Sequence, residues 1–168
     1  MLFAGFGWGK PVQINPTNFK RPEKDSAKVA LAGPVMNLIL AVISAVIYAL
    51  IIVVAVKTKN YTIIKGELEY NTAWDTLMNV AFYSMSINLG LAIFNLLPFP
   101  PLDGSKIFRA ILKGKAKEIL YSLEKYSMII IMILFMTHAA SYIISPIMEA
   151  IYGYVLEPII YAILGVAL

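Results

Sequence analysis

The run Asn95-Leu96-Leu97-Pro98-Phe99-Pro100-Pro101-Leu102-Asp103-Gly104 constrains the fold of this chain more than any other stretch. It closes an apolar segment with three prolines and leaves one carboxylate at the break. Each proline lacks a backbone donor and disfavours helix in the residue before it, so the chain must unwind between Asn95 and Asp103. The composition, 60% hydrophobic and 14% charged over 168 residues, puts this break in a membrane protein. There a charge is costly unless something uses it, and irregular backbone survives only inside protein or along a polar cavity.

Four apolar stretches, at 29–56, 76–97, 126–146 and 147–168, each reach or approach the ~20 residues that cross a bilayer core. The predicted fold class is therefore an all-α, polytopic integral membrane protein of about four transmembrane helices, one of them broken at the proline-rich Asp-Gly element. A single membrane-embedded domain is expected over 1–168, because no linker, repeat or low-complexity tract divides it. Within it, 1–28 reads as an interfacial, strand-like entry segment and 29–97 as two core helices. The broken helix end and a cytosolic loop occupy 98–125, and C-terminal membrane helices 126–168. Only Ser145-Pro146 separates the last two stretches, which leaves open a kinked helix, a hairpin, or one span followed by an interfacial helix. The opening Met1 to Gly9 lacks a basic n-region and makes a poor signal peptide.

Charge and cysteine content narrow the function classes. With no cysteine the chain has no disulfide, thiolate ligand or cysteine nucleophile. The net charge of +4 is spread over loops rather than gathered on one face, which argues for lipid headgroups and against nucleic acid as a partner. Lys and Arg are in excess before the first apolar stretch and after the second, whereas Lys57, Lys59 and Lys65 are nearly balanced by Glu67 and Glu69. Positive loops mark the cytoplasmic side, so 57–71 should lie outside and 98–125 inside, with Asp103 toward the cytosol. Lys113, Lys115 and Lys117 read as a headgroup-facing loop.

Two stripes suggest how the core helices pack. Gly33, Asn37, Ala41, Ala45 and Ala49 recur every four residues, a small-residue face that admits a close neighbour. Ser84, Asn88 and Asn95 share one face of the second helix and should turn inward rather than meet lipid. The two faces are expected to meet.

Asn95 through Gly104 resembles the N-x-x-P-x-P-x-x-D-G signature of the site-2 protease family of intramembrane zinc metalloproteases. Leu31-Ala32-Gly33-Pro34-Val35-Met36-Asn37 is similar to that family's A-G-P-x-x-N element, and Gly7-Trp8-Gly9-Lys10-Pro11-Val12-Gln13-Ile14-Asn15-Pro16 to the W-x-K-P-V-x-x-N-P segment of its compact prokaryotic branch without a PDZ domain. The resemblance implies one catalytic zinc held by two histidines of an HExxH helix and by Asp103, with an open position for water. It implies a substrate or oxyanion contact for Asn95 and structural roles for Gly33, Pro34, Asn37, Pro98, Pro100 and Gly104. Val12, Gln13, Ile14 and Asn15, bracketed by prolines and alternating in polarity, read either as a short exposed strand that pairs with an unwound substrate segment or as a plain interfacial loop. The implied substrate is a membrane-spanning protein segment, and the implied location a prokaryotic cell membrane.

The sequence departs from that family in one respect: it contains no HExxH, and its only histidine is His138. The chain as given is thus expected to be inactive alone and to bind zinc poorly. Two explanations compete, a truncated product of an ordinary protease, which retention of Asp103-Gly104 favours, and a pseudoprotease that still binds membrane helices. His138, without a second histidine four residues away, reads as an interior hydrogen-bonder rather than a ligand. A transporter or channel subunit is the distant alternative, since broken helices with carboxylates also line ion pathways. No second carboxylate of a relay is evident, Glu149 and Glu157 lying in the C-terminal stretches.

Overall fold

The computed structural model describes residues 19–64 and 67–167, which leaves the candidate substrate segment Val12 to Asn15 and the K-P-V element outside the described residues. Helix α1 spans Pro22–Lys57 and, at 36 residues, is about 54 Å long. Pro22 sits in its first turn, where no N–H is needed, and the Arg21 N–H is taken by the Asp25 carboxylate at 3.0 Å. It ends where the Thr58 hydroxyl donates back to the Val54 carbonyl at 2.7 Å and Lys59 turns left-handed.

Strands β1 (Tyr61–Ile64) and β2 (Glu67–Tyr70) pair antiparallel, Tyr61 opposite Tyr70, and carry the chain into α2 (Thr72–Leu96). This two-stranded pairing is a local addition to the expected all-helical architecture. Asn71 caps α2, its side-chain oxygen accepting from the Ala73 N–H. Then come α3 (Asp103–Ile111), α4 (Lys115–Glu124), α5 (Ser127–Met136) and α6 (Ala139–Ile151), which runs through a π-helical turn at Tyr152–Leu156 into α7 (Glu157–Ala167).

Among the described residues three helices are long and apolar enough to cross a membrane: Pro22–Lys57, Thr72–Leu96 and the continuous Ala139–Ala167. A fourth span results if α4 and α5, which meet at 83°, are taken together. Ile39, Ile43 and Ile47 on α1 and Val80, Tyr83 and Ile87 on α2 are exposed, as an acyl-chain environment requires.

The C-terminal break lies elsewhere than the composition suggests. Ser145 and Pro146 lie inside α6, while the chain breaks at Thr137-His138. The Thr137 hydroxyl donates to the Ile133 carbonyl at 2.6 Å, and His138 adopts a left-handed conformation (φ 54°) that ends α5. His138 is exposed there, not an interior helical residue.

The small-residue stripe is the centre of the packing. Ala41, Ala45 and Ala49 are fully buried against Met85, Leu89 and Ile93 of α2 and Leu156 and Ile160 of the C-terminal helix. Between lipid and protein there is no hydrophobic gain, so close backbone approach supplies the attraction. Ser44 and Ser84 share a hydrogen bond of 3.0 Å across the α1–α2 interface, while Asn88 donates to the Ser84 carbonyl of its own helix.

Candidate active site

The site is assembled where α2 stops. Helix α2 ends at Leu96, and the segment through Pro98, Pro100 and Pro101 turns so that α3 starts at Asp103. The turn is held locally: the Leu102 N–H donates to the Phe99 carbonyl at 2.9 Å, and the buried Ser105 hydroxyl donates to the Leu102 carbonyl at 2.7 Å. Leu97 and Leu102 seat it on Leu134 and Ala140 at the α5–α6 junction. Pro100 is buried and Pro98 half-buried within it.

Gly104 has a physical reason to be glycine. A Cβ there would run into the backbone carbonyl oxygens of Leu96 and Leu97, so the first turn of α3 lies directly against the last turn of α2. Only a residue without a side chain permits that approach.

Asp103 stands at the N-terminus of α3, where the helix dipole favours a carboxylate. Its Oδ1 accepts from the Lys106 Nζ at 3.2 Å, an ion pair one turn apart with both side chains a third or more exposed. Such a pair is worth at most ~1 kcal/mol. The Oδ2 oxygen points at α1, 3.6 Å from where a Cβ on Gly33 would sit. That oxygen has no hydrogen-bond partner among the described residues. Pro34, next along α1, is fully buried, and Asn37, one turn on, is half-buried.

The helix register carries Asn95 to the same level. From the Ser44–Ser84 contact, eleven residues toward the C-terminus of α2 reach Asn95, and eleven toward the N-terminus of α1 reach Gly33. In antiparallel helices both steps cover about 16 Å and about three turns, so the register directs Asn95 toward the level of Gly33. Asn95 is half-buried, and neither it nor Asn37 has a side-chain hydrogen bond with another described residue. Gly33 and Asp103 therefore meet at one end of the α1–α2 pair, the end toward which the register also directs Asn95.

Sequence reasoning missed the scaffold around this end. The Glu23 carboxylate accepts from Lys117 at 2.6 Å and from the Tyr121 hydroxyl at 3.1 Å, tying α4 to the start of α1. Arg109 of α3 reaches Glu124 at 2.8 Å and lies 5.0 Å from the centre of the Tyr121 ring. The only signal was opposite charges in distant segments, and nothing in spacing pairs Glu23 with Lys117.

A carboxylate with one oxygen open is a suitable zinc donor, but it is one donor. Among the described residues no group of three His, Cys, Asp or Glu side chains could hold a metal, and His138 sits at a different break. The residues present fit one arm of a catalytic zinc site and not the whole. Purified in detergent and loaded with metal, the chain is expected to retain far less than one zinc per molecule. Stoichiometric zinc that is lost on Asp103→Ala would show that further ligands are present.

A helical membrane protein with a carboxylate set at a proline-broken helix end, against a glycine of the neighbouring helix, is the class these features define. Residues 12–138 match Peptidase family M50, the site-2 protease family, and the chain belongs to it. It is 35% identical over 152 residues to the "Putative zinc metalloprotease YwhC" of Bacillus subtilis (strain 168), an alignment covering 89% of this chain and 64% of that protein. The chain thus spans somewhat less than two thirds of the length of this relative. No solved structure matches it.

Proposed function

We propose that these residues form the Asp103-bearing core of an intramembrane zinc metalloprotease that hydrolyses a peptide bond in membrane-spanning substrates. The observation that carries this reading is the Oδ2 of Asp103 facing Gly33 of α1 at the proline-broken end of α2. Asp103 offers one zinc ligand, and the other two belong to an HExxH helix that is not among the 168 residues. When bound, the metal would supply an acidified water and polarise the scissile carbonyl. Asn95 presents its amide to the substrate backbone or to the oxygen that gains charge. The proline-broken segment between α2 and α3 keeps irregular backbone and the carboxylate out of lipid. The second reading, a pseudoprotease that binds membrane helices, is favoured by the absence of HExxH from the sequence. The two separate in one experiment: fusing or co-expressing the HExxH segment of a family member should yield cleavage of a membrane-spanning reporter. Continued inactivity with the reporter bound would support the pseudoprotease.

The orientation belongs to the same proposal, with 57–71 outside and 98–125 inside, in a prokaryotic cell membrane. The chain has no cysteine of its own, so Lys59→Cys and Lys115→Cys variants test it directly. An impermeant thiol reagent on intact cells should label position 59 and spare position 115. The reverse pattern would invert the topology.

A further inference from the structure

The cations in and around α4 divide into two groups. Lys117 is consumed by Glu23, and Arg109 by Glu124, so these cations lock α3, α4 and the start of α1 together. Lys113, Lys115 and Lys125 are exposed and have no carboxylate within ion-pair distance among the described residues. Opposed to them stands a single exposed acid without an ion-pair partner on the same helix, Glu118.

The apolar residues of α4 are arranged unlike those of a helix seated on a protein core. Leu120 is buried, but Ile119 is 59% exposed and Tyr126 57% exposed. At 100° per residue Lys115 and Ile119 fall within one narrow arc of α4, on the opposite side from Lys117 and Glu124, and Tyr126 follows at the bend into α5. An outward face that joins Ile and Tyr to a lysine has no use for bulk water. It matches the boundary between headgroups and acyl chains, where the apolar residues sink and the lysine stem reaches up. The 83° bend between α4 and α5 gives the required posture, since an α5 that enters the bilayer leaves α4 lying nearly in its plane.

We propose that α4 is an interfacial helix that binds anionic phospholipid headgroups through Lys115 and the flanking Lys113 and Lys125, with Ile119, and Tyr126 at the bend, in the acyl boundary. Charge complementarity selects this occupant: three uncommitted cations beside one acid suit a surface of lipid phosphates. Because Arg109 and Lys117 bind α4 to α3 and to α1, lipid held by α4 also braces the helix that carries Asp103. The site goes beyond proteolysis and does not require it.

The test uses the whole chain in neutral detergent, mixed with equal amounts of phosphatidylglycerol and phosphatidylcholine, with retained lipid read by native mass spectrometry. Retention should favour phosphatidylglycerol, and each Lys→Gln change at 113, 115 or 125 should weaken that preference by up to about fivefold. Lys57→Gln with Lys59→Gln, at the opposite end of α1, should leave it intact. Equal retention of the two lipids, or a preference that survives all three changes, would overturn the proposal. Soluble glycerol phosphate competing as well as the lipid would also overturn it, by showing a phosphate site rather than a membrane contact. A spin label at Ile119→Cys, with every lysine present, gives an independent reading in phosphatidylglycerol nanodiscs. It should be quenched by oxygen in preference to an aqueous nickel chelate, and the opposite order would sink the interfacial placement.

Discussion

In a protein completed with an HExxH helix, Asp103→Ala is expected to abolish cleavage of a membrane-spanning reporter and to release the metal. The loss should exceed ~10²-fold, because removing even a partner behind a metal ligand commonly costs 10- to 100-fold and Asp103 is proposed as a ligand itself. Asn95→Ala should behave differently. It is proposed to touch substrate rather than metal, so its loss should leave zinc bound and slow turnover by ~10²-fold if its amide meets the oxyanion. Lys106→Gln separates charge balance from ligation: the half-exposed ion pair it removes is weak, so zinc content should be unchanged. Zinc content and turnover are measured on the same preparations. Normal cleavage by Asp103→Ala would end the ligand assignment, and with it the reading of this end of the helix pair as an active site.

The parts of this fold that were legible in the sequence are those set by one helix at a time. The four-residue recurrence from Gly33 to Ala49 marked the face that buries Ala41, Ala45 and Ala49, because a small side chain every turn has no other use in an apolar helix. Ser84 turned inward as expected and found Ser44, and that contact sets the register between α1 and α2. The proline run located the end of α2, since three missing donors cannot be accommodated in a helix end without a turn.

What the sequence concealed depends on contacts between segments or on backbone choices that hydropathy does not register. Ser145-Pro146 looked like the boundary of two apolar stretches, yet a membrane helix tolerates a proline when neighbours and local adjustment satisfy the freed carbonyl. The actual break, at Thr137-His138, is made by a back-bonded hydroxyl and one left-handed residue inside a stretch whose mean hydropathy stays high. The Glu23–Lys117 and Arg109–Glu124 pairs join residues 94 and 15 positions apart and have no local signature. Asp103 itself was visible through its motif, but the motif says nothing of which oxygen stays open; that follows from Lys106 on one side and Gly33 on the other.

Gly104→Ala should destabilise the chain by about 1–3 kcal/mol, the range for forcing a methyl into a packed site, although Ala is the better helix former. The added Cβ meets two backbone carbonyls, of Leu96 and Leu97, and backbone at a helix end cannot swing aside as a flexible side chain can. Helix α3 must therefore shift away from α2, and Asp103, the preceding residue, shifts with it. Gly33→Ala is the matched control: its Cβ would sit 3.6 Å from the Asp103 Oδ2, an ordinary contact, and should change stability by less than about 0.5 kcal/mol. Thermal unfolding of both variants in the same detergent reads the difference. In the completed protein Gly104→Ala should also lower zinc affinity without touching a ligand, because the carboxylate is carried off its position facing Gly33. If Gly104→Ala unfolds with the wild type and Gly33→Ala does not, the close α2–α3 approach is absent and the aspartate is held in place by something other than the glycine that follows it.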